Sequence, residues 1–404
     1  MPGRAEAQNQ PQQAAPALRV APTLRVANLI LEYYPVLGGA QRQLQMLAPL
    51  LRGRGVDLSV LTRRYPQLGV TLPFERVEGV PVHRLPAPGG RAAASAVYTA
   101  AALLRLRRLR PDVIHAYSLF SPLTIAITAR RLYGLPVVVK VLRGGTLGDV
   151  DRIHTRATSG QRIAAFRRYV DAFIVISKEI GAELEGLGIP PERQVFIPNG
   201  VDTARFRPLP PAEKTALRAR LGLPAGPLAV YSGRLAAEKH VERLVGVWES
   251  VRRQVPGAGL LILGAGEQEA ALKEAARSLE GGESVRFLGQ VEDVAPYLQA
   301  ADLFVLPSST EGLSNSLLEA MASGLAAAAT RVGAAPDLIA HGESGWLFPP
   351  EDERALCEAL LALLGNPGLR ERLGEAARRR VEGDYSLDSV AARLHALYSR
   401  VAGR

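Results

Sequence analysis

The sequence predicts an α/β protein of two doubly wound, Rossmann-like domains facing one another across a cleft. Three observations predict it. The 404 residues suit two domains at roughly 100–200 residues each. Short apolar runs alternate with helix-period segments along both halves, the pattern of a parallel sheet covered on both faces. Near the middle the stretch VDTARFRPLPPAEK breaks that alternation, and Pro208, Pro210 and Pro211 make it a stiff connector that neither sheet can use.

Taken in order, residues 1–22 are polar, rich in Ala, Gln and Pro, and lack the apolar central run of a signal peptide, so they are expected to form a disordered tail. The N-terminal domain is expected over 23–205. It opens with the apolar run LRVANLILE, a glycine-containing turn, the helix-period segment AQRQLQMLAPLLRGRG and the run VDLSVLT; PDVIHAYS, LPVVVKVL and DAFIVIS continue the series. The C-terminal domain, 206–385, repeats the pattern with PLAVYSG, GAGLLILGAG, SVRFLG, DLFVLPS and GLAAAAT, each followed by a helical segment. Residues 386–404 show helix periodicity through Val390, Leu394, Leu397 and Val401 with no strand after them, and are expected to pack back on the N-terminal domain. In open parallel sheets the ligand sits beyond the carboxyl ends of the strands, so the facing ends of the two sheets are the natural place for chemistry.

Composition bounds the function. Apolar residues make up 47% and charged residues 22%, so each half can bury a core, which excludes intrinsic disorder and collagen-like repetition. The lone cysteine, Cys357, forms no intramolecular disulfide and reads as a small core hydrophobe in a reducing cytoplasm. No stretch reaches the 18 or so consecutive apolar residues of a membrane span, so the protein is expected to be cytoplasmic, soluble or peripheral at the inner face of the membrane. Nucleic acid is not an expected partner, because no recognition module is present and aromatics make up 5% of the chain. The formal net charge is +10, from 49 Lys and Arg against 39 Asp and Glu, and it is unevenly spread. Residues 1–200 carry 26 cations and 13 anions, a net of +13; residues 201–404 carry 23 and 26, a net of −3. That asymmetry points to an anionic partner of the first half, with Arg-rich coding bias as the competing explanation, since Arg supplies 44 of the cations.

The most informative stretch is PSSTEGLSNSLLEAMASG, residues 307–324. A strand ends at Leu306, Glu311 falls in a loop, and a helix from about Ser316 to Ser323 carries Glu319, with Gly324 as its stop. A loop carboxylate beside the amides of Gly312, Leu313, Ser314 and Asn315 at a helix N-terminus suits a hydroxyl-rich anion: the carboxylate accepts from paired hydroxyls while the N–H groups and helix dipole meet phosphate. The plain reading is also open: Ser316 and Glu319 match a capping box, and Glu311 fits an exposed loop charge. In YSGRLAAEKHVERLV, Gly233 permits a turn, Arg234 lies in the loop and Lys239 stands near the next helix. A planar fork and a point charge are the pairing a diphosphate leaving group needs, and their plain reading is solvated cations paired with Glu238 and Glu242.

These segments resemble the family 4 glycosyltransferases of the GT-B fold. The matching passages, in order, are LGGAQRQ, VFIPNGVDTARFRP, YSGRLAAEKHVERLV, LILGAGEQEAAL, VRFLGQVEDVAPYLQAADLFVLPS and the seven-residue spacing between Glu311 and Glu319, over roughly residues 24–385. The resemblance implies retaining, metal-independent transfer of a hexosyl group from a nucleotide-diphosphate sugar, the donor substrate, with no further cofactor. It implies that Arg234 and Lys239 hold the donor diphosphate, that Glu311 contacts the sugar hydroxyls, that Glu319 binds the ribose, and that the amides of Gly312 to Asn315 complete the pocket. Gly264 and Gly266 follow a strand on the donor side, and the segment from Phe287 to Val291 is expected to line the base. The acceptor is expected to be a carbohydrate or a phosphorylated or lipid-linked molecule.

On the N-terminal side, Gly38 and Gly39 follow the first strand, so their amides can approach the donor phosphates or the acceptor closely. His115 ends the strand PDVIHA and is a candidate catalytic group, with a hydrogen-bonded strand-end histidine as its alternative. Family members often carry two histidines separated by one residue here; this chain has His115, Ala116 and Tyr117, which leaves Tyr117 as a candidate acceptor contact. Lys140 and Arg143, at a strand end, are candidates for an acceptor phosphate. The segment 91–110 intersperses Leu103, Leu104, Leu106 and Leu109 with Arg105, Arg107, Arg108 and Arg110, which suits either anionic lipid or a sheet-covering helix with a solvated face. The chain departs from the family at Gly324, Leu325 and Ala326, where a proline is common, at Ala334 and Asp337, where Gly and Glu are common, and at His240, often Gly. Two further readings remain: a non-catalytic nucleotide-sugar-binding protein, and a nicotinamide-dependent oxidoreductase, for which GAGEQE lacks the third glycine of the fingerprint.

Overall fold

The computed structural model describes residues 23–404 apart from 37, 67–68, 71 and 146–147; the expected tail, 1–22, lies outside the described residues. The first half alternates as β1 (Leu24–Leu29), α1 (Gly39–Gly53), β2 (Val56–Arg63), β3 (Phe74–Val77), β4 (Val80–Leu85), α2 (Arg91–Leu109), β5 (Val113–Tyr117) and α3 (Ser121–Tyr133). It continues with β6 (Val137–Lys140), α4 (Asp151–His154), α5 (Ser159–Tyr169), β7 (Ala172–Val175), α6 (Lys178–Gly186) and β8 (Gln194–Phe196). The strands form one sheet in the order β3-β4-β2-β1-β5-β6-β7-β8, parallel except for the β3–β4 hairpin. Strands β5, β6 and β7 are buried at every position, as a sheet covered on both faces requires.

The second half runs α7 (Pro211–Arg220), β9 (Leu228–Ser232), α8 (Val241–Gly246), α9 (Trp248–Gln254), β10 (Gly259–Leu263), α10 (Glu269–Arg277), β11 (Val285–Gly289), α11 (Ala295–Ala300) and β12 (Leu303–Leu306). Then follow α12 (Asn315–Ala322), β13 (Ala326–Thr330), α13 (Ala335–Leu338), β14 (Trp346–Phe348), α14 (Glu353–Leu364), α15 (Pro367–Asp384) and α16 (Leu387–Val401). Its sheet is parallel in the order β11-β10-β9-β12-β13-β14. In both sheets the order reverses direction beside a central strand, which opens a crevice at the carboxyl ends. The short strands β3, β4, β8 and β14 were not among the apolar runs of the sequence; they are sheet margins of three to six residues.

The last helix returns to the first domain. Val390, Ala391, Leu394, Leu397 and Tyr398 of α16 pack with Leu44, Leu47 and Leu51 of α1 and with Val26, Val60 and Val138 of the sheet in one buried cluster. The two crossings of the chain run side by side: Val201 N donates to Tyr385 O at 2.8 Å and Leu387 N donates to Val201 O at 3.1 Å. In α2, Tyr98, Ala102 and Leu106 are buried on the sheet while Leu104, Arg107, Arg108 and Arg110 face outward. Leu103 and Leu109 pack against the core, so the apolar stripe is mostly spent on the sheet.

Candidate active site

Between the two sheets lies a cleft of about 780 Å³. From the N-terminal side it is lined by Gly38 to Arg42 at the start of α1, by Lys140 to Arg143 past β6, and by Asp149, Arg152 and Asn199; the opposite wall carries Ser232 to Arg234, Lys239, Gly264, Val291 and the run from Glu311 to Ser316, with Glu319. Most of these positions lie at or just beyond the carboxyl end of a parallel strand.

The C-terminal wall is assembled from two turns that hold one another. Past β9, Gly233 lies over Tyr231, where an added Cβ would sit 2.8 Å from the phenol oxygen, and that hydroxyl donates to Arg234 O at 3.0 Å. A 3-10 turn, Ala237–Lys239, then brings Lys239 inward. Glu238 O accepts from Ser309 N at 3.0 Å, tying this turn to the loop after β12. Across that tie, Lys239 Nζ donates to Glu311 Oε1 at 2.7 Å, and Ser308 Oγ donates to the same oxygen at 2.8 Å. Arg234 is exposed and its guanidinium donates to Glu238 Oε1 at 2.6 Å. Position 240, where the family often has glycine, has a left-handed backbone with φ of 48°, which accounts for that preference. Here His240 takes it with its ring nitrogen 2.8 Å from Glu242 Oε1.

Below Glu311, Gly333 packs so closely that an added Cβ would lie 2.5 Å from Glu311 O, and Ala334 N donates to Gly312 O at 2.9 Å. The segment that departs from the family pattern therefore supports the Glu311 loop. Asp337 Oδ2 accepts from Lys178 N at 2.7 Å and so links this segment to the other domain.

The N-terminus of α12 is capped by Ser314, whose Oγ accepts from Leu317 N at 3.3 Å. The capping box of the plain reading, Ser316 with Glu319, does not form: the cap is Ser314, two residues earlier, and Glu319 lies buried within the helix. Burial pushes the Glu319 carboxyl up to about 7, partly opposed by Arg42, whose Nη1 stands 3.8 Å away across the cleft. Asn315 binds the walls together. Its Oδ1 accepts from Asn199 Nδ2 at 2.9 Å and Gln43 Nε2 at 3.2 Å, and its Nδ2 donates to Gly39 O at 3.3 Å. Asn199 also donates to Leu313 O at 2.9 Å and accepts from Lys140 Nζ at 2.9 Å.

Gly38 and Gly39 face this wall. Neither needs left-handed backbone, and a Cβ on Gly39 would meet only Asn315 Nδ2, at 3.5 Å, an ordinary contact. Gly264, by contrast, has φ of 134° and would drive a Cβ into Gly233 O.

Several expected site residues stand elsewhere. His115 and Tyr117 do not line the cleft. They are on one face of β5, stacked on each other with ring centroids 4.4 Å apart, and His115 Nδ1 lies 2.7 Å from the Tyr398 hydroxyl of α16. Both are buried in the packing beneath that helix, which drives the His115 pKa down to about 3 and holds the imidazole neutral. Gly266 is not a lining residue: it packs against Leu235, where a Cβ would lie 2.2 Å from the carbonyl oxygen. Of the segment from Phe287 to Val291, Gln290 and Val291 reach the cleft, and Phe287 and Leu288 pack against the core. Sequence reasoning did not single out Arg42, Asn199, Asp149 and Arg152. Arg42 and Asn199 sit in two quoted passages, LGGAQRQ and VFIPNGVDTARFRP, which was a usable signal; Asp149 and Arg152 had none. Among the described residues, no group of three or more His, Cys, Asp or Glu side chains is placed to hold a metal ion.

Two facing doubly wound sheets with their carboxyl ends on a shared cleft are the GT-B architecture of glycosyltransferases, and solved structures agree: Anabaena Alr3699/HepE in complex with UDP superposes with a TM-score of 0.78 at 18% identity, over 93% of this chain and 100% of that one. Residues 213–380 match the family model described as glycosyl transferases group 1, and residues 38–200 match the glycosyl transferase 4-like domain. The chain belongs to the family 4 glycosyltransferases. It is 31% identical to the sulfoquinovosyl transferase SQD2 of Arabidopsis thaliana over 290 residues, 69% of this chain and 54% of that protein. It is 33% identical to a GDP-mannose-dependent alpha-(1-6)-phosphatidylinositol monomannoside mannosyltransferase of Mycobacterium tuberculosis over 269 residues, 64% of each. The match thus spans between half and two thirds of these curated relatives.

Proposed function

We propose that this chain is a retaining hexosyltransferase that moves a sugar from a nucleoside diphosphate sugar to a carbohydrate, phosphorylated or lipid-linked acceptor in the synthesis of cell-surface glycan or glycolipid. The observation that carries it is the convergence of Lys239, Arg234, the Glu311 carboxylate and the α12 N-terminus on one wall of the cleft. Lys239 and Arg234 meet the charge that grows on the departing diphosphate, aided by the Gly312–Asn315 amides. That arrangement supplies the positive charge from side chains and backbone, so the transfer needs no metal. Glu311 accepts from the sugar hydroxyls, Glu319 from the ribose, and Gln290 and Val291 flank the base. Gly38 and Gly39 leave room for backbone approach. Attack on the face from which the diphosphate leaves retains the anomeric configuration without a covalent enzyme intermediate.

The acceptor enters along the N-terminal wall, past Lys140 and Arg143. Two comparisons support a nucleotide-sugar donor: the HepE structure holds UDP, and the mycobacterial relative is GDP-mannose-dependent. They differ in nucleotide, so the base is for experiment to assign. The protein acts in the cytoplasm, soluble or peripheral at the inner face of the membrane, where Leu104, Arg107 and Arg108 on the outer face of α2, with Arg110 at its end, offer contact with anionic lipid. No helix among the described residues is long and apolar enough to cross a membrane. Thermal-shift screening with uridine, guanosine and adenosine diphosphate sugars tests the donor site, since a bound donor stabilises by mass action. One nucleotide series raises Tm in the wild type and raises it less, at the same concentration, in Lys239→Ala; no shift with any of the three contradicts the reading.

A further inference from the structure

The cations of the cleft divide by what the protein gives them. On the C-terminal wall each has a carboxylate, Glu311 for Lys239 and Glu238 for Arg234. On the N-terminal wall Arg42 has Glu319 at 3.8 Å, whereas Lys140, Arg143 and Arg152 line the same cleft and, among the described residues, none of these three has a carboxylate oxygen within 4.0 Å. Asp149, the acid beside them, turns its Oδ2 to Leu142 N at 3.1 Å; burial pulls its carboxyl upward, and Arg152 and Arg143 oppose that from beyond ion-pair distance, as Arg143 also acts on Glu238 of the opposite wall. Arg152 is held with its guanidinium carbon 4.9 Å from the Phe120 ring centroid.

Lys140 is the most telling. It ends β6 between Tyr117 of β5 and Ile174 of β7 and is only 6% exposed. One N–H of its ammonium goes to the Asn199 amide oxygen; an ammonium has three. Burial lowers its pKa to about 8, and the nearby His115 is neutral. A buried ammonium answered by one neutral oxygen is costly, and an anion arriving from the cleft would remove that cost.

We infer that Lys140, Arg143 and Arg152 form a second anion site on the N-terminal wall, distinct from the diphosphate site of Arg234 and Lys239, and that it takes a phosphate group carried by the acceptor. This rests on the reading of the cleft as a glycosyltransferase site and commits its acceptor to the phosphate-bearing class. A soluble sugar phosphate and a phospholipid headgroup present the same chemistry: Arg143 and Arg152 offer forked donors to the phosphate oxygens, and Lys140 a point charge on the same wall. The surplus of +13 in residues 1–200 favours the approach of either.

The test titrates the full chain, saturated with the nucleoside diphosphate that the thermal screen selects, with inorganic phosphate and with phosphatidylcholine vesicles with and without phosphatidylglycerol. The expected result is binding of phosphate, or of the anionic vesicles, while the nucleotide stays bound. Lys140→Met and Arg143→Ala each weaken that binding about tenfold or more, and Lys239→Ala leaves it unchanged. Phosphate binding identifies a soluble acceptor class; vesicle binding lost in the same two variants identifies a headgroup. Arg143 is half-exposed, so its variant carries the test should Lys140→Met misfold. Phosphate that competes with the nucleotide and is lost in Lys239→Ala, or binding indifferent to both N-terminal variants, overturns the second site, as does nucleotide binding with neither probe bound. A chain that binds no nucleoside diphosphate overturns the reading of the cleft beneath it.

Discussion

Glu319 shows how a single side chain couples the site to solution conditions. An exposed glutamate titrates near 4.5, and burial moves this one to about 7. Between those values the folded chain holds a proton that the unfolded chain has released, so the folded state loses stability as pH rises through that window. The loss amounts to about 2 kcal/mol between pH 5 and pH 8. Glu319→Gln removes it: chemical denaturation shows the variant close to wild type at pH 5 and more stable at pH 8, and a constant difference across that range contradicts the assignment. The same carboxylate is proposed to accept from ribose hydroxyls, which favours its ionised form, so nucleotide affinity rises with pH through about 7 in wild type and is flat in Glu319→Gln. Such behaviour was not legible in the sequence, where Ser316 and Glu319 fitted a capping box equally well. Two serines, Ser314 and Ser316, flank Asn315 at the helix start, and the choice of Ser314 as cap belongs to the loop that Gly333 and Ala334 hold from below.

At the scale of elements, α16 explains why His115 lies buried outside the cleft. Residues 115 and 117 share a face of β5 because side chains alternate along a strand. Which face that is depends on a helix 283 positions away, whose Tyr398 hydroxyl meets His115. No local pattern carries that information. The main strands and helices of both sheets were legible because their apolar runs are long and regular; the hairpin β3–β4 and the strands β8 and β14 were not, because they are runs of three to six residues with little periodicity to read. Tyr398→Phe leaves a buried imidazole without its partner and lowers stability by about 1–3 kcal/mol in a denaturant titration. Turnover per folded molecule stays near the wild-type value, because the pair lies outside the cleft; a large fall in turnover at unchanged stability contradicts the structural role.

For the whole molecule, the two walls of the cleft meet at backbone. A Cβ at Gly312 would stand 2.3 Å from Leu142 O of the opposite domain, so Gly312→Ala forces the walls apart. Overpacking of this kind costs about 1–3 kcal/mol, which lowers the population of the closed arrangement about fivefold to 150-fold. Small-angle scattering shows a larger radius of gyration and turnover falls, with each domain still folded; an unchanged radius and rate contradicts the closure. The central claim is that Lys239 and Glu311 face the leaving diphosphate and the sugar of a nucleotide donor. Its most direct test is the steady-state release of nucleoside diphosphate from the donor that the thermal screen selects, by wild type and Lys239→Ala at matched folding. The account predicts a fall of about 100-fold or more in kcat, the range seen when a donor to a developing anion is removed; an unchanged kcat would contradict it.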